Sequence, residues 1–351
     1  MKRSSSERLS GFPRRRGAGR TWLVKREVSV EQQNGPLTPL SSGAARPVRH
    51  FRAGESVRDG LVRVASELIG RAVSRIESGG KNRAEDLHQV RLAVKRLRAS
   101  LRLIRPVIGK AFFRRENRHL KRIADRLSLF RDVVVSRQRL LSLAGDHSTK
   151  QERKVFALFL GQIAKQGPES GQFREQCERA MHEAAGALKE AADDFQNMLI
   201  PAEEWAAIGP GLRKSYRRAR NRMLRAAQRD TEEAFHEWRK DVKYLYYQLQ
   251  LVRPACPGRL GPMARQLNRL EEKLGEEHDF MVLRNLLTQS PERCGGRGAI
   301  KRAVACFDRQ CQKLRDDSEA LGKELFLEKP AKFVAKLNTH WDDWRRSGEA
   351  R

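Results

Sequence analysis

The chain has 351 residues, and its 72 Lys and Arg residues against 43 Asp and Glu residues give a formal charge of +29 and a pI near 10.7. Charged residues make up 33% of the sequence, the mean hydropathy is −0.69, and no apolar run approaches the roughly 18 residues that a membrane span needs. These values exclude a transmembrane protein. They predict a folded protein that binds a polyanion, whether nucleic acid, anionic membrane or inorganic phosphate polymer.

The first 52 residues differ from the rest of the chain in composition. They contain 12 Lys or Arg residues, only 3 Asp or Glu residues, and clusters of Ser, Gly and Pro, and such a composition rarely folds alone. We therefore predict a disordered basic tail over residues 1–52, whose deletion leaves folding intact.

From about Gly54 onward the sequence has helical periodicity. Apolar residues recur three and four positions apart, and the interruptions fall at Gly and Pro residues that end helices. The expected breaks include Gly79-Gly80, Arg105-Pro106, Gly209-Pro210-Gly211 and Gly261-Pro262. About seven to nine helices over the remaining length predict an all-α helix-bundle protein.

The most informative feature is an internal repeat at an offset of 148 residues. The segment Leu87–Arg98 aligns with Phe235–Tyr246, and both contain His-x-x-Arg-x-x-x-Lys. On a helix with ~100° between residues, the basic side chains of each copy form one stripe beside an apolar seam. The first stripe consists of His88, Arg91, Lys95, Arg98 and Arg102, and the second stripe consists of His236, Arg239 and Lys243.

A second block of basic residues repeats 147 residues apart. It consists of Arg118, Arg122 and Arg126 in the first copy and of Arg265, Arg269 and Lys273 in the second. A short break and an acidic residue follow each copy, at Asp132 and Asp279, where we expect a helix cap or, alternatively, an acid that orients a groove cation. Two halves with the same pair of basic helices imply an internal duplication and a pseudo-twofold arrangement.

The cysteines and histidines indicate no metal site. The five cysteines are an odd number, form no Cys-x-x-Cys pair, and have no histidine at zinc-finger spacing; they are Cys177, Cys256, Cys294, Cys306 and Cys311. This usage fits a reducing cytoplasm, and we predict neither a metal nor a cofactor. A phosphate contact and a purely structural role both remain open for His88 and His236.

The doubled motif, together with Leu-Gly-x-x-x-Asp from Leu274 to Asp279, resembles the CHAD domain, the conserved histidine α-helical domain. The resemblance spans about residues 54–345. It implies two pseudo-symmetric four-helix bundles, at residues 53–200 and 201–345, followed by a C-terminal tail at 346–351. It further implies a basic central groove that binds inorganic polyphosphate through the stripes and the second block, and an association with polyphosphate granules in the cytoplasm. The Glu-x-Glu-x-Lys motif of the CYTH domain that many members carry is absent, so we expect a stand-alone CHAD protein.

The two halves depart from strict symmetry. Tyr246 and Gln250 stand where the first half has Arg98 and Arg102. We therefore expect the first half to contribute more of the binding charge.

Three functions remain open at this point. Non-catalytic polyphosphate binding is favoured, because Lys and Arg spaced along a helix face match a linear polymer that has a charge at each unit. Against a nucleic-acid or nucleoid-binding protein, the chain has no helix-turn-helix signature and no aromatic platform, so nucleic acid is expected only as a non-specific competitor. Against a polyphosphate-processing enzyme, only one acid in each half recurs in register, whereas phosphoryl transfer generally uses clustered carboxylates for Mg²⁺. For each stripe, the alternative is a basic helix face that is exposed to solvent and binds no ligand.

Overall fold

The structure is a computed structural model that describes residues 50–79, 82–128, 130, 136–141, 149–165, 171–289 and 297–349. Most of the tail predicted for residues 1–52 lies outside these ranges, and so do Asp132 and Cys294. Within them the chain is helical and contains no strand, which confirms the all-α class.

Ten α-helices lie in the described residues, more than the sequence predicts. They are α1 (Val57–Glu77), α2 (Arg83–Ile104), α3 (Lys110–Arg126), α4 (Lys150–Lys165), α5 (Gly171–Gln196), α6 (Glu204–Arg229), α7 (Glu232–Val252), α8 (Pro257–Gln289), α9 (Arg297–Leu325) and α10 (Pro330–Glu349). A 3-10 turn at Arg253–Ala255 joins α7 to α8, and residues 136–141 form a further short helical segment. The side chains of Ser56, Asn82 and Thr231 cap α1, α2 and α7 by accepting backbone N–H bonds in the first turn.

Two of the predicted breaks lie inside helices instead. Pro210 belongs to α6 and Pro262 to α8. Each proline stands within the first two turns, where the one hydrogen bond it removes leaves most of a long helix intact. The break expected before Asp279 is also wrong, because α8 continues through this residue, which is buried and lies 3.6 Å from the Nε of Arg139. Asp279 is therefore not a helix cap.

The helices pack in two groups of four. In the first group α1 contacts α2, α2 contacts α3, α3 contacts α5, and α5 returns to α1. In the second group α6, α7, α8 and α9 contact one another in the same cyclic order. Helix α2 also packs against α6 and α7 and so joins the two groups. The duplication itself stays an inference from the repeated motifs.

Helix α4 packs with the second group although its residues precede position 200. Its Val155, Phe156 and Phe159 form an apolar cluster with residues of α8 and α9, and the ring of Phe156 stacks on that of Phe307 with centroids 5.4 Å apart. Helix α4 thus packs with the second group, whereas α5, which follows it in sequence, packs with the first.

The end of the predicted tail belongs to the folded core. Phe51 is 1% exposed, its N–H donates to the carbonyl of Leu251 at 2.9 Å, and its ring meets Trp341 edge-on. Arg345 of α10 donates to the carbonyls of Arg52 and Ala53. Deletion through residue 52 would therefore remove a core aromatic and not only the tail.

The two helix groups approach most closely where α6 crosses α2. A Cβ atom added at Gly211 would lie 1.6 Å from the carbonyl oxygen of Leu103. Only glycine allows the two backbones to meet at this distance.

We predict that Gly211→Ala separates the two groups and destabilises the protein. Overpacking of this kind typically costs about 1–3 kcal/mol. Gly70→Ala is the matched control, because Gly70 is an exposed residue of α1 where an added Cβ meets nothing within 4 Å. This control is expected to raise stability by up to about 1 kcal/mol through helix propensity. Urea unfolding of both variants tests the crossing, and equal effects of the two changes would contradict it.

Candidate polyanion-binding site

Burial of the two apolar seams fixes how α2 and α7 are rotated. Val90, Val94, Leu97 and Leu101 of α2 are fully buried, and so are Trp238, Val242, Leu245 and Leu249 of α7. Because each basic stripe lies beside its seam on the same helix, the stripes are held at the edge of the core.

The first stripe faces α3 over part of its length. The Nη1 of Arg91 donates to the carbonyl of Ala124 at 2.8 Å, and the Nε of Arg98 donates to the side-chain oxygen of Asn117 at 3.2 Å. Burial, together with the charge of Arg102, lowers the pKa of Arg98. These side chains are therefore partly enclosed and positioned, unlike those of a freely solvated helix face.

Glu271 of α8 brings the two stripes together electrostatically. It forms an ion pair with Lys243, and its Oε1 lies 3.7 Å from the Nε of Arg239. Burial alone would raise the pKa of Glu271, but the positive charges of Lys243, Arg239 and Lys95 outweigh burial and lower it. Lys95 belongs to the first stripe, whereas Arg239 and Lys243 belong to the second. One carboxylate thus lies in the field of both.

Gly275 of α8 makes room for the second stripe. A Cβ atom at this position would lie 3.3 Å from the Nη2 of Arg239. The glycine of the Leu-Gly-x-x-x-Asp motif therefore allows a close approach within a continuous helix.

A cluster of like charges, which we call the α2-end cluster, continues the first stripe beyond Arg102. The guanidinium of Arg102 lies over Tyr244, 4.2 Å from the ring centre. Burial and the charges of Arg102, Arg218 and Arg114 lower the pKa of Arg105. The α2-end cluster consists of Arg102, Arg105, Arg114, Lys214 and Arg218.

The pKa of Lys214 shows the same crowding. Burial and the charges of Arg105, Arg218 and Arg217 lower it. Of these cations, Arg218 is paired, with its Nη2 3.2 Å from the carboxylate of Asp241. The sequence indicates Arg105-Pro106 only as the end of a helix. Arg105 nevertheless continues the first stripe three residues after Arg102.

A pocket of about 600 Å³ borders this cluster. Its apolar surface comes from Pro106, Trp205 and Pro210, and its charged lining includes Lys214 and Arg217. Of the basic row Arg213, Arg217 and Arg220 on α6, the first two line the pocket, whereas Arg220 donates to the carbonyl of Phe326.

Two members of the second block form ion pairs. Arg126 pairs with Glu183 of α5 at 2.7 Å, and Lys273 pairs with Asp317 of α9 at 2.7 Å. Glu183 and Asp317 belong to the fourth helix of their respective groups. The other members, Arg118, Arg122, Arg265 and Arg269, are exposed. Arg126 and Lys273 are thus each paired with an acid of their own helix group.

The two motif histidines differ in environment. His88 is exposed, whereas His236 is half-buried with its ring 4.7 Å from that of His278. Burial lowers the pKa of His236, and Lys240 and Arg239 lower it further.

Comparisons with known proteins concern both sequence and fold. The model of the CHAD domain family matches residues 63–288. A solved structure of PptA from Streptomyces chartreusis is 17% identical, with a TM-score of 0.51, and the match covers 78% of this chain and 98% of that one. The CHAD domain from the plant Ricinus communis is 20% identical, with a TM-score of 0.46, over 79% and 93% of the respective chains. A search among curated proteins gave no match.

In the part of the chain that the structure describes, no helix is both long enough and apolar enough to cross a membrane.

We predict that His236 makes the protein less stable in acid. Its pKa in the folded state lies below the ordinary value of ~6.5, so the unfolded chain binds the proton more readily and stability falls as the pH drops through that value. His236→Gln should lose less stability than the wild type between about pH 7.5 and 5.5. His182→Gln, which changes an exposed histidine of α5, is the control. Parallel stability profiles for His236→Gln and the wild type would contradict this expectation.

Proposed function

Because this chain belongs to the CHAD family, we propose that it binds inorganic polyphosphate, without catalysis, along the surface where the two stripes meet. The observation that carries the proposal is that Glu271 pairs with Arg239 and Lys243 of the second stripe and also lies in the electrostatic field of Lys95 of the first. We further propose that the protein acts in the cytoplasm, at polyphosphate granules.

The chemistry of the ligand suits this surface. A linear phosphate polymer offers a negative charge at each unit and no base edges, so affinity must come from spaced Lys and Arg side chains. Basic residues one turn apart on α2 are separated by about 5.4 Å and can follow a strand of phosphates along the helix. The partly enclosed positions of Arg91 and Arg98 reduce the ordering that binding would require.

The α2-end cluster extends the same path. Burial lowers the pKa values of Arg105 and Lys214, and repulsion from neighbouring cations lowers them further. A polyanion that lies across Arg102, Arg105 and Lys214 would relieve this repulsion, which adds to its affinity.

The carboxylates near this surface favour binding over catalysis. Asp241 is held by Arg218 and Arg222, and Glu271 by Lys243 and Arg239. Each acid is thus occupied by cations of the protein, whereas phosphoryl transfer needs carboxylates that hold Mg²⁺ at the reacting phosphate.

We predict that Glu271→Gln strengthens polyphosphate binding. In the wild type, phosphates compete with the Glu271 carboxylate for Lys243 and Arg239, and the amide removes that competitor together with one repelling charge. At low salt the dissociation constant should fall by about tenfold. Glu175→Gln, which removes an exposed acid of α5, controls for net charge. If both variants bind equally, the polymer does not pass Glu271.

Salt dependence provides the direct test of a joint binding surface. The logarithm of the association constant should fall linearly with the logarithm of salt concentration, by roughly 0.7 for each phosphate neutralised as in single-stranded nucleic acids. Several simultaneous contacts predict a slope steeper than about −2. Arg98→Gln/Arg102→Gln should make the slope shallower by about 1.4. Lys301→Gln/Arg302→Gln, on exposed positions of α9, removes the same charge and should change it less.

Two further measurements in the same assay separate the other functions. Release of phosphate from the polymer in the presence of Mg²⁺ would indicate an enzyme. Displacement of polyphosphate by duplex DNA at equal charge concentration would favour a nucleic-acid-binding protein. Binding with neither outcome supports the proposal, and a salt slope shallower than about −2 would overturn it.

A further inference from the structure

We propose that the junction of α3 and α5 binds one divalent transition-metal ion through Glu116, His119 and Asp194. The ion would be of the class that accepts mixed nitrogen and oxygen ligands, represented by Mn²⁺ and Zn²⁺. This site does not depend on the polyphosphate surface. It also revises the sequence-based expectation that the protein has no metal site.

The three side chains converge from two helices. Glu116 and His119 stand three residues apart on α3 and therefore share one face of that helix, while Asp194 comes from α5. One ligand atom of each side chain lies within 4.8 Å of the other two. Small side-chain rotations would place all three at the distance of about 2.0–2.2 Å from one shared ion.

Glu116 is the observation that points to a ligand. The residue is 1% exposed, and its Oε1 accepts a hydrogen bond from the Nε of Arg115 at 2.6 Å. Its Oε2 is buried and has no hydrogen-bond partner among the described residues. A buried carboxylate oxygen without a partner is unfavourable, and a bound cation would satisfy it.

His119 is held in a form that can bind a metal. Its Nε2 lies 2.9 Å from the carbonyl oxygen of Ala187, and because a carbonyl can only accept, Nε2 must be the donor. In the neutral ring the lone pair is then on Nδ1. Metal-binding histidines are commonly fixed in this way through the nitrogen that does not bind the ion.

Arg115 does not complete the charge balance. Its guanidinium bonds the Oε1 of Glu116 and the Oδ1 of Asp194, so it leaves the Oε2 of Glu116 for another partner. Burial raises the pKa of Glu116 and the neighbouring Asp194 raises it further, so one guanidinium does not offset both carboxylates when they are ionised. The side chain of Arg115 is 62% exposed and so can remain on the outer oxygens or move into solvent when an ion binds.

The test uses the full chain and Mn²⁺ as the probe. We expect close to one equivalent of bound Mn²⁺, with a nitrogen hyperfine signal from one imidazole in pulsed electron paramagnetic resonance. His119→Gln should abolish the nitrogen signal, and Glu116→Gln and Asp194→Asn should each weaken binding by at least about tenfold. His182→Gln and Glu175→Gln, on exposed positions of α5, are the matched controls and should bind as the wild type does.

Several results would overturn the proposal. The proposal is wrong if Mn²⁺ shows no saturable binding to the wild type. It is also wrong if the nitrogen hyperfine signal persists in His119→Gln. A gain in stability of Glu116→Gln, with no effect of Mn²⁺ on the wild-type melting temperature, would instead indicate that Glu116 and Asp194 share a proton. Glu116→Gln preserves side-chain size, and Asp194→Asn provides a second, partly exposed position should the buried change impair folding.

One control separates this site from polyphosphate binding. Polyphosphate that copurifies with the protein would itself bind Mn²⁺, but with phosphorus rather than nitrogen hyperfine coupling and equally in every variant of this junction. A negative result for the metal site would therefore not contradict polyphosphate binding. Likewise, a negative result for polyphosphate binding would not contradict the metal site.

Discussion

The packing of α2 against α7 is the interaction on which the rest of the structure depends, because it places two cationic helices side by side in a chain of charge +29. Burial of the two apolar seams supplies the favourable free energy, and buried carboxylates offset the repulsion. Glu271 does so for Lys243 and Arg239, and Asp241 does so for Arg218 and Arg222. The cations are therefore held close together with only part of their charge compensated, which is the state that a polyanion stabilises further.

Sequence periodicity predicts how each helix is rotated but not which neighbour it meets. The helical class, the buried seams and the stripes beside them follow from spacing within single helices. Glu271 and the α2-end cluster do not, since the acid comes from α8 and the cluster combines α2, α3 and α6. The acids that pair with Arg126 and Lys273 also come from other helices, so the sequence does not predict these ion pairs. It does not predict the approach of Asp194 to His119 either.

The sequence also misplaces features where tertiary contacts override a local preference. The sequence suggests breaks at Pro262 and before Asp279, yet α8 passes through both, because the proline lies near the start of the helix and Gly275 accommodates Arg239. Phe51 has the flanking composition of a disordered tail but is buried beside Trp341. The partners of Gly275 and Phe51 are distant in sequence, so composition and spacing do not reveal them.

The contact of Phe51 with α10 has a consequence for biosynthesis. Arg52 and Arg345, whose side chain bonds the Arg52 carbonyl, are separated by 293 positions, so the segment that leads into α1 emerges from the ribosome long before its partner is translated. Until α10 is released, the aromatic ring of Phe51 lacks part of its enclosure and remains available to chaperones. A nascent chain that stalls before α10 is released would thus leave the ring of Phe51 partly uncovered, where quality-control proteases can act on the segment.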